Sequence, residues 1–426
     1  MKRTSLVAAG VVGFPYIIRS AALGKDGAVA PSNRRLMAQF GSGSMGMADL
    51  QAFLNLGPEV QVVAICDVDD RRAQNGKVET DKYYKNQDCR TYRDYREMLD
   101  KEHLDIVSLA LPDHWHAIAS IACARKGIDM YGQKPLSRTL GEGRLICDAV
   151  KRYGVIWQTG SWQRSVREFH HACELVLNGR IGKVAYVEVG LPDGPKAGQV
   201  KPMNVPKELD WDLWLGPAPW REFQDFGHGD CHWDWRWILD YSGGMLTDWA
   251  GHHIDIAHWG LGLDYAGPVE IEGRGEYPQD GLWNTPYAYD FTATYANGLK
   301  MRVANESKQP HGMGICWYGE KGWIYVTRDG LQASNAKILE EKIGPDEHQL
   351  YKSDNHQKNL LDCVKTRQQT ITPAEVAHRS LSVGLLGEIA MLRGKKLQWN
   401  PQTEQFVNDP EAARLLMRAY RSPWHV

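Results

Sequence analysis

Two groups of residues in this sequence have types and spacings that serve known chemistry. The first is Gly41-Ser-Gly-Ser-Met-Gly46, a G-x-G-x-x-G pattern, and Asp67 follows its last glycine by about 20 residues. Glycines let the backbone turn sharply beside a pyrophosphate at a helix N-terminus, and a carboxylate at that distance binds ribose hydroxyls. The pattern predicts a dinucleotide site formed by Gly41, Gly43, Ser44, Met45, Gly46 and Asp67.

The same residues indicate which dinucleotide is bound. A carboxylate at position 67 repels a 2′-phosphate, so NAD is expected in preference to NADP. Arg71 and Arg72 follow closely and would weaken that preference. The alternative interpretation is a glycine-rich turn without a ligand. Gln39, a polar residue inside an otherwise apolar strand, favours that alternative.

The second group begins with Lys134, in Gly132-Gln-Lys-Pro135 after the apolar run Ile128–Tyr131. Ligands of open α/β sheets bind outside the carboxyl ends of the strands, so we expect Lys134 to face the nicotinamide. Pro135 ends the strand and restricts the lysine backbone. The alternative is an ordinary surface lysine in a loop.

Asp248, His252 and Asp255 complete this group. Their i, i+4, i+7 spacing places them on one face of a helix, with His253 about 100° away. A carboxylate beside an imidazole fixes its tautomer, as a proton-abstracting base requires. The alternatives are a buried, hydrogen-bonded histidine or a metal site. The sequence has no HExxH or similar spacing, so no metal is predicted.

The elements around these residues predict two domains. Residues 34–158 alternate short apolar strands with helices, which is typical of a parallel sheet covered on both faces, a Rossmann domain. Two of these helices are predicted over Met47–Leu56 and Leu140–Tyr153. Residues 159–426 contain runs that alternate in twos and an Asn297-Gly298 hairpin turn, which favours a mainly antiparallel sheet packed on helices. Residues 202–237 are expected to be mostly loop, 355–394 helical, and the last thirty residues irregular.

Composition narrows the function classes. A net charge of −2 over 426 residues gives no excess of positive charge for nucleic-acid binding. The 16 tryptophans are concentrated between Trp157 and Trp259, which suits either a carbohydrate-stacking pocket or core packing. The eight cysteines include no CxxC pair, and most lie in apolar runs, which predicts buried free thiols.

The first 33 residues have the layout of a signal peptide. Met1-Lys-Arg3 is positive, Ser5–Ile18 is largely apolar, and Ala22-Leu-Gly24 is similar to a cleavage site. The apolar stretch is too short for a membrane span. The layout predicts export to the periplasm or outside, through a leader similar to a twin-arginine signal. The alternative is a cytoplasmic protein that keeps the segment as an arm gripping a neighbouring subunit.

Past residue 34 the chain resembles the glucose–fructose oxidoreductase, inositol dehydrogenase and MocA family, in the branch of exported bacterial enzymes. The resemblance rests on the following motifs: Gly41–Gly46, Leu111-Pro-Asp-His-Trp-His116, Lys134-Pro135, Leu209-Asp-Trp-Asp-Leu-Trp-Leu-Gly-Pro217, Asp248 with His252, and the ending Gln405-Phe-Val…Tyr420-Arg-Ser-Pro-Trp424.

This resemblance implies a Rossmann domain followed by an α/β domain with a large open sheet, tightly held NAD, sugar or polyol substrates, and subunits paired as a dimer or tetramer. It implies a catalytic trio of Lys134, Asp248 and His252, with Pro112, His116, Gln133 and Lys134 near the cofactor. The family usually has Glu-Lys-Pro, so Gln133 removes a negative charge beside Lys134.

The sequence therefore predicts hydride transfer between a sugar ring carbon and NAD. His252, oriented by Asp248, would take the hydroxyl proton while Lys134 holds the oxygen, although these two roles could be exchanged. The alternatives are a redox-neutral enzyme that cleaves glycosides through a transient 3-ketone, and a non-catalytic sensor. The expected sugar-pocket residues are Trp162, Arg164, His232, Trp235, Arg236 and His252.

Overall fold

The structure, a computed structural model, describes residues 34–196, 198, 200–227 and 231–426. The predicted leader, residues 1–33, lies outside the described residues. The first domain consists of β1 (Arg35–Phe40), α1 (Ser44–Leu54), β2 (Val60–Cys66), α2 (Asp70–Tyr84), β3 (Arg90–Tyr92), α3 (Tyr95–Lys101), β4 (Ile106–Leu109), α4 (Asp113–Arg125), β5 (Asp129–Gly132), α5 (Leu140–Tyr153) and β6 (Trp157–Thr159).

Its six strands form a parallel sheet in the order β3-β2-β1-β4-β5-β6. The chain reverses its direction of growth between β1 and β4, and this switch point places the ends of both strands beside the glycine turn. The apolar runs that predicted buried strands are fully buried in β4 and β5. The predicted Rossmann fold is confirmed.

The second domain is built on a nine-stranded sheet, and its elements are α6 (Arg167–Leu177), β7 (Val184–Leu191), α7 (Trp211–Leu215), α8 (Cys231–Asp234), α9 (Gly244–Gly260), β8 (Glu270–Glu276), β9 (Ala288–Thr294), β10 (Lys300–Asn305), β11 (Gly314–Gly319), β12 (Gly322–Thr327), β13 (Gly330–Ala333), α10 (His356–Thr366), α11 (Ala374–Arg393), β14 (Leu397–Asn400), β15 (Gln405–Phe406) and α12 (Pro410–Ala413).

The sheet order is β13-β12-β11-β7-β10-β9-β8-β14-β15. Only β7 and β10 pair in parallel, so the sheet is mixed but mostly antiparallel, as predicted. The predicted turn at Asn297-Gly298 joins β9 to β10, with Gly298 at a φ of +84°. Helices α9 and α11 pack together and cover one face of this sheet.

Three features differ from the expectations. The helix after the glycine turn begins at Ser44, earlier than the run from Met47 to Leu56 indicated. The tail is not wholly irregular, because β14 extends the second sheet by pairing with β8. Helix α10 follows the second sheet in sequence but packs on the first one: Leu360, Leu361 and Val364 share a core cluster with residues of β1, α1 and β2.

All eight cysteines lie in the described part of the chain, and each is buried and outside any disulfide there, as predicted. Within the described ranges, no helix has both the length and the apolar character needed to cross a bilayer. In the same ranges, no three His, Cys, Asp or Glu side chains lie together in a way that would hold a metal ion.

Candidate active site

Two positions of the glycine turn, Gly41 and Gly46, leave no room for a side chain. Gly41 has a φ of +76°, and a Cβ atom there would lie 2.2 Å from the Ala110 carbonyl oxygen. A Cβ atom on Gly46 would lie 2.0 Å from the Gly41 carbonyl oxygen. Gln39 does not oppose this arrangement, because its buried side chain donates a hydrogen bond to the Gly41 carbonyl (Nε2 to O, 2.9 Å). Gln39, which favoured a turn without a ligand in the sequence, therefore stabilises the conformation of the turn.

Asp67 lies against the same turn, at the end of β2. Its carboxylate accepts hydrogen bonds from the backbone N–H (2.8 Å) and the hydroxyl (3.1 Å) of Ser42, and from the N–H of Asp69 (3.0 Å). A close-packed glycine turn, a helix N-terminus and a neighbouring carboxylate fit the pyrophosphate and ribose of a dinucleotide. These residues would hold NAD.

The two arginines after Asp67 have different surroundings. Arg71 pairs with Glu208, with 2.8 Å between Nε and Oε1, and does not line the cavity beside the turn. Arg72 stays beside the turn and lines the cavity described next. Of the two residues that could weaken the preference for NAD, only Arg72 is in a position to do so.

A cavity of about 560 Å³ runs from the glycine turn to helix α9. Its walls come from both domains, so a bound molecule would contact the ends of β1, β2 and β5 together with the Trp-rich segment before α9. The predicted residues that line it are Gly41, Gly43, Ser44, Met45, Gly46, Asp67, Pro112, Gln133, Lys134, His232, Trp235, Arg236 and Asp248.

Lys134 and Asp248 form an ion pair between the two domains. The Lys134 ammonium donates to Oδ1 of Asp248 at 2.8 Å and to the Asp248 backbone carbonyl at 3.1 Å. The close approach depends on Gly251, since a Cβ atom there would lie 3.2 Å from Cβ of Lys134. Burial raises the pKa of Asp248, but Lys134 and Arg236 outweigh burial and hold it below its usual range. The carboxylate is therefore ionised.

His252 lies one turn further along α9, and its partners differ from the predicted ones. No hydrogen bond joins it to Asp248 in the described part of the chain, because Asp248 is taken by Lys134; the expected orientation of His252 by Asp248 is thus not found. Its ring instead contacts the rings of Trp162 and Trp249. Burial and the charge of Lys134 hold the pKa of His252 well below its usual range, so the imidazole is neutral.

Arg164 does not belong to the pocket. It is 2% exposed, and its guanidinium is bound by the carboxylates of Asp255 (2.7 Å) and Asp264 (2.8 Å). Its charge is already satisfied, so it is not free to bind a substrate hydroxyl. Asp255, which was expected on the face of Asp248 and His252, is a structural partner of Arg164. His253 points elsewhere, and its Nδ1 lies 3.1 Å from the Gly190 carbonyl on β7.

Four more predicted residues have other positions than expected. Trp162 and His252 do not line the cavity; their rings contact each other, and His252 also contacts Trp249, which does line it. His232 lines the cavity, but its Nε2 lies 3.1 Å from the carboxylate of Asp69, so it stands at the ribose end and not beside Lys134. His116 does not line the cavity. Its ring nitrogens lie 2.7 Å from the Pro135 carbonyl and 2.9 Å from the Leu111 carbonyl, which ties together the two loops that carry Pro112 and Lys134.

Gln133 has a partner that the sequence did not indicate. Its side-chain amide donates to the carboxylate of Asp49 on α1, with 2.8 Å between Nε2 and Oδ2. Asp49 is 1% exposed, and burial raises its pKa to about 7, although the bond from Gln133 opposes this rise.

Further cavity residues were missed in the sequence, among them Trp233, Met245 and Trp249. Trp249 follows Asp248 directly, so its position next to a predicted site residue could have indicated it. Arg328 was also missed; it lies in the turn between β12 and β13, over the rings of Trp162 and Trp249. Nothing in its local sequence distinguishes it, because the contact joins segments far apart in the chain.

Comparisons with known proteins agree with this geometry. Residues 36–161 match the model of the Gfo/Idh/MocA oxidoreductase family's NAD-binding Rossmann fold, and residues 193–426 match that of its C-terminal alpha/beta domain. The chain belongs to the Gfo/Idh/MocA family of oxidoreductases. It is an oxidoreductase with an NAD-binding Rossmann domain, and the predicted cofactor and family are confirmed.

Several relatives within the Gfo/Idh/MocA family are similar over most of the chain. Myo-inositol 2-dehydrogenase of Thermotoga maritima is 32% identical over 72% of this chain and 80% of its own. The scyllo-inositol 2-dehydrogenase (NAD(+)) of Bacillus subtilis is 24% identical over 71% and 80%. The WlbA dehydrogenase of Bordetella pertussis, crystallised with NADH and UDP-GlcNAcA, shares the fold with a TM-score of 0.65, at 16% identity over 86% of this chain and 98% of its own.

Proposed function

We propose that this protein oxidises a ring hydroxyl of a sugar or glycoside by hydride transfer to bound NAD. The observation that carries the proposal is the Lys134–Asp248 ion pair, which lies in the same cavity as the glycine turn and Asp67. Relatives that are named inositol 2-dehydrogenases support a polyhydroxylated ring as the substrate.

Lys134 is the residue assigned to the reacting oxygen. Its ammonium lines the cavity, and Asp248 and the Asp248 carbonyl fix its position, which leaves it able to donate a further hydrogen bond to a substrate oxygen. A fixed positive charge there stabilises negative charge that develops as the hydroxyl loses its proton. Bound NAD supplies the hydride acceptor.

His252 is assigned as the proton acceptor. A neutral imidazole can accept a proton, whereas an imidazolium cannot, and burial keeps His252 neutral. Its Nδ1 has no hydrogen-bond partner in the described part of the chain. The exchange of roles, with Lys134 as the base, is the competing assignment within the same reaction.

The test compares Lys134→Met and His252→Gln with a control variant, Lys126→Met. Lys126 follows the last residue of α4, is exposed and pairs with Asp100. Neutral and acidic monosaccharides, inositols and aryl glycosides are screened by NADH absorbance, and products are identified in parallel. We expect the first two variants to lower kcat by about 10²- to 10⁴-fold while NAD affinity, measured by calorimetry, stays unchanged. The control should match the wild type.

The outcomes separate the candidate reactions. Near-wild-type turnover by Lys134→Met or His252→Gln with NAD bound would show that the residue assignments are wrong. Release of an aglycone without accumulation of NADH would replace net oxidation by the redox-neutral cleavage of glycosides. Absence of any turnover across the panel, with NAD bound, would favour a sensor.

A further inference from the structure

Two arginines near the Lys134–Asp248 pair are each held against two indole rings. The guanidinium carbon of Arg236 lies 4.4 Å from the ring centre of Trp235 and 4.5 Å from that of Trp233. Its Nη1 also donates to the Trp233 carbonyl (3.2 Å), and its Nε lies 3.8 Å from the Asp248 carboxylate. Arg236 is therefore anchored at the wall of the cavity.

Arg328 is held in a similar way, between an indole ring of α9 and one outside that helix. Its guanidinium carbon lies 4.6 Å from the ring centre of Trp162 and 4.4 Å from that of Trp249, which lines the cavity. In the amide orientation that gives both polar atoms a partner, the Gln163 oxygen accepts from Nε of Arg328 at 3.0 Å and the nitrogen donates to the His252 carbonyl at 3.2 Å. These contacts fix the guanidinium beside the helix of Asp248 and His252.

The outer edge of that guanidinium is not used by the protein. Neither terminal nitrogen of Arg328 forms a hydrogen bond or ion pair within the described ranges of the chain, and the residue is exposed. Partial burial of the guanidinium lowers its pKa despite the charge of Asp248. Two stacked rings limit the rotamers of an arginine, so an anion that binds it meets a pre-organised donor.

The local charge is also unbalanced. Lys134, Arg236 and Arg328 are cations, while the facing carboxylates are Asp248, already bound to Lys134, and Asp113. Asp113 lines the cavity, although its side chain is buried and accepts from the Ser242 hydroxyl (2.7 Å). Burial raises the pKa of Asp113 to about 6. His252 is neutral. Arg328 does not itself line the cavity but lies beside it, over the Trp249 ring. With Arg328 included, the groups around Lys134 and Asp248 have more positive than negative charge before a ligand enters.

We infer that the substrate is an acidic sugar, a uronic or aldonic acid or its glycoside, whose carboxylate binds the free edge of Arg328. This inference rests on the proposed function, since it names the substrate class of the same site. A planar carboxylate matches the planar fork of a guanidinium with two parallel hydrogen bonds. Lying in the guanidinium plane, it also avoids the two indole rings, whereas the out-of-plane oxygens of a sulfate or phosphate would approach them.

The experiment measures binding separately from turnover. The NADH-loaded enzyme is titrated by calorimetry with glucuronate and glucose, galacturonate and galactose, and the 6-phosphates and 6-sulfates of the neutral sugars. Each titration is repeated with Arg328→Met, with Arg328→Lys and with Arg152→Met. The last is a matched control, because Arg152 is an exposed arginine over the Tyr153 ring on α5.

We expect the acidic sugar to bind at least about tenfold more tightly than its neutral counterpart, with an advantage that shrinks as salt is added. Arg328→Met should weaken the acid by about 10- to 100-fold and leave the neutral sugar unchanged. Arg328→Lys should restore part of the difference, and Arg152→Met should behave as the wild type.

Three outcomes would overturn the inference or the function beneath it. Equal affinity for acid and neutral sugar, with neutral sugars oxidised in a Lys134-dependent way, would refute the acidic substrate and keep the reaction. Tighter binding of phosphate or sulfate esters than of uronates would refute the carboxylate. If uronates bind in an Arg328-dependent way but no sugar is oxidised, the anion site is supported and the proposed reaction is refuted.

Discussion

Substitution of Asp49 by asparagine tests whether its buried carboxylate, on helix α1 after the glycine turn, destabilises the protein. Burial raises the pKa of Asp49 from an ordinary 3.8 to about 7, while Gln133 donates the hydrogen bond that partly offsets this. A carboxyl group whose pKa is higher in the folded state binds its proton more readily there, so folding loses stability as the pH rises from 3.8 to 7. The asparagine side chain would keep an oxygen for Gln133 and carry no charge.

The magnitude follows from the two pKa values. One pKa unit corresponds to about 1.4 kcal/mol, so ionised Asp49 costs about 4 kcal/mol of unfolding free energy above pH 7. At pH 5 the cost is only about 2 kcal/mol. The unfolding free energy of Asp49→Asn minus that of the wild type should therefore grow by about 2 to 3 kcal/mol between pH 5 and pH 8.

The assay is urea unfolding of the cofactor-free protein, followed by far-UV circular dichroism at several pH values. The difference between variant and wild type removes the titration of every other group, which both proteins share. Asp354→Asn is the control, because the Asp354 side chain is 84% exposed and should give no pH dependence in this range. A constant difference between Asp49→Asn and the wild type from pH 5 to pH 8 would refute the reasoning.

Two further outcomes are expected. Gly46→Ala should weaken NAD binding by at least about 100-fold in calorimetry, because its methyl group would displace the Gly41 carbonyl, 2.0 Å away, and open the pyrophosphate turn; unaltered affinity would contradict the role of the turn. Buried His258, bound to the Tyr295 hydroxyl at 2.6 Å, has a pKa lowered to about 4, so the unfolded chain protonates it first and stability is lost as the pH falls from 6.5 towards 4. His258→Gln should have a lower Tm than the wild type at pH 8. Between pH 8 and pH 5, the Tm of the variant should fall less than that of the wild type. An equal fall in both proteins would contradict this prediction.

The first domain could be predicted almost element by element from local signals. Alternation of short apolar runs with helices gives a parallel sheet, and helix α5 matches its predicted bounds, Leu140–Tyr153, because a capping box begins it and Gly154 ends it in the left-handed region. Lys134 could be placed at the edge of the sheet because it comes two residues after the apolar strand β5 and Pro135 follows it.

What the sequence did not reveal is partner choice between distant segments. Helical spacing correctly placed Asp248 on α9, yet periodicity does not say which cation will face a carboxylate. Lys134, brought in from the first domain, takes Asp248, and Arg164 takes Asp255. The bond from His232 to Asp69 likewise joins positions 163 residues apart. Export, the domain boundaries and pairing with a second copy stay predictions.

The glutamine that departs from the family's usual Glu-Lys-Pro has a physical reason in this chain. A glutamate at position 133 would place its oxygen where the Gln133 amide now lies, 2.8 Å from a carboxylate of Asp49 that is already costly to ionise. The amide donates where a second carboxylate would repel. Among the described residues, Asp248 is the only carboxylate within ion-pair distance of Lys134, and it also lies 3.8 Å from Nε of Arg236. Glutamine at position 133 therefore spares helix α1 a second buried negative charge beside Asp49.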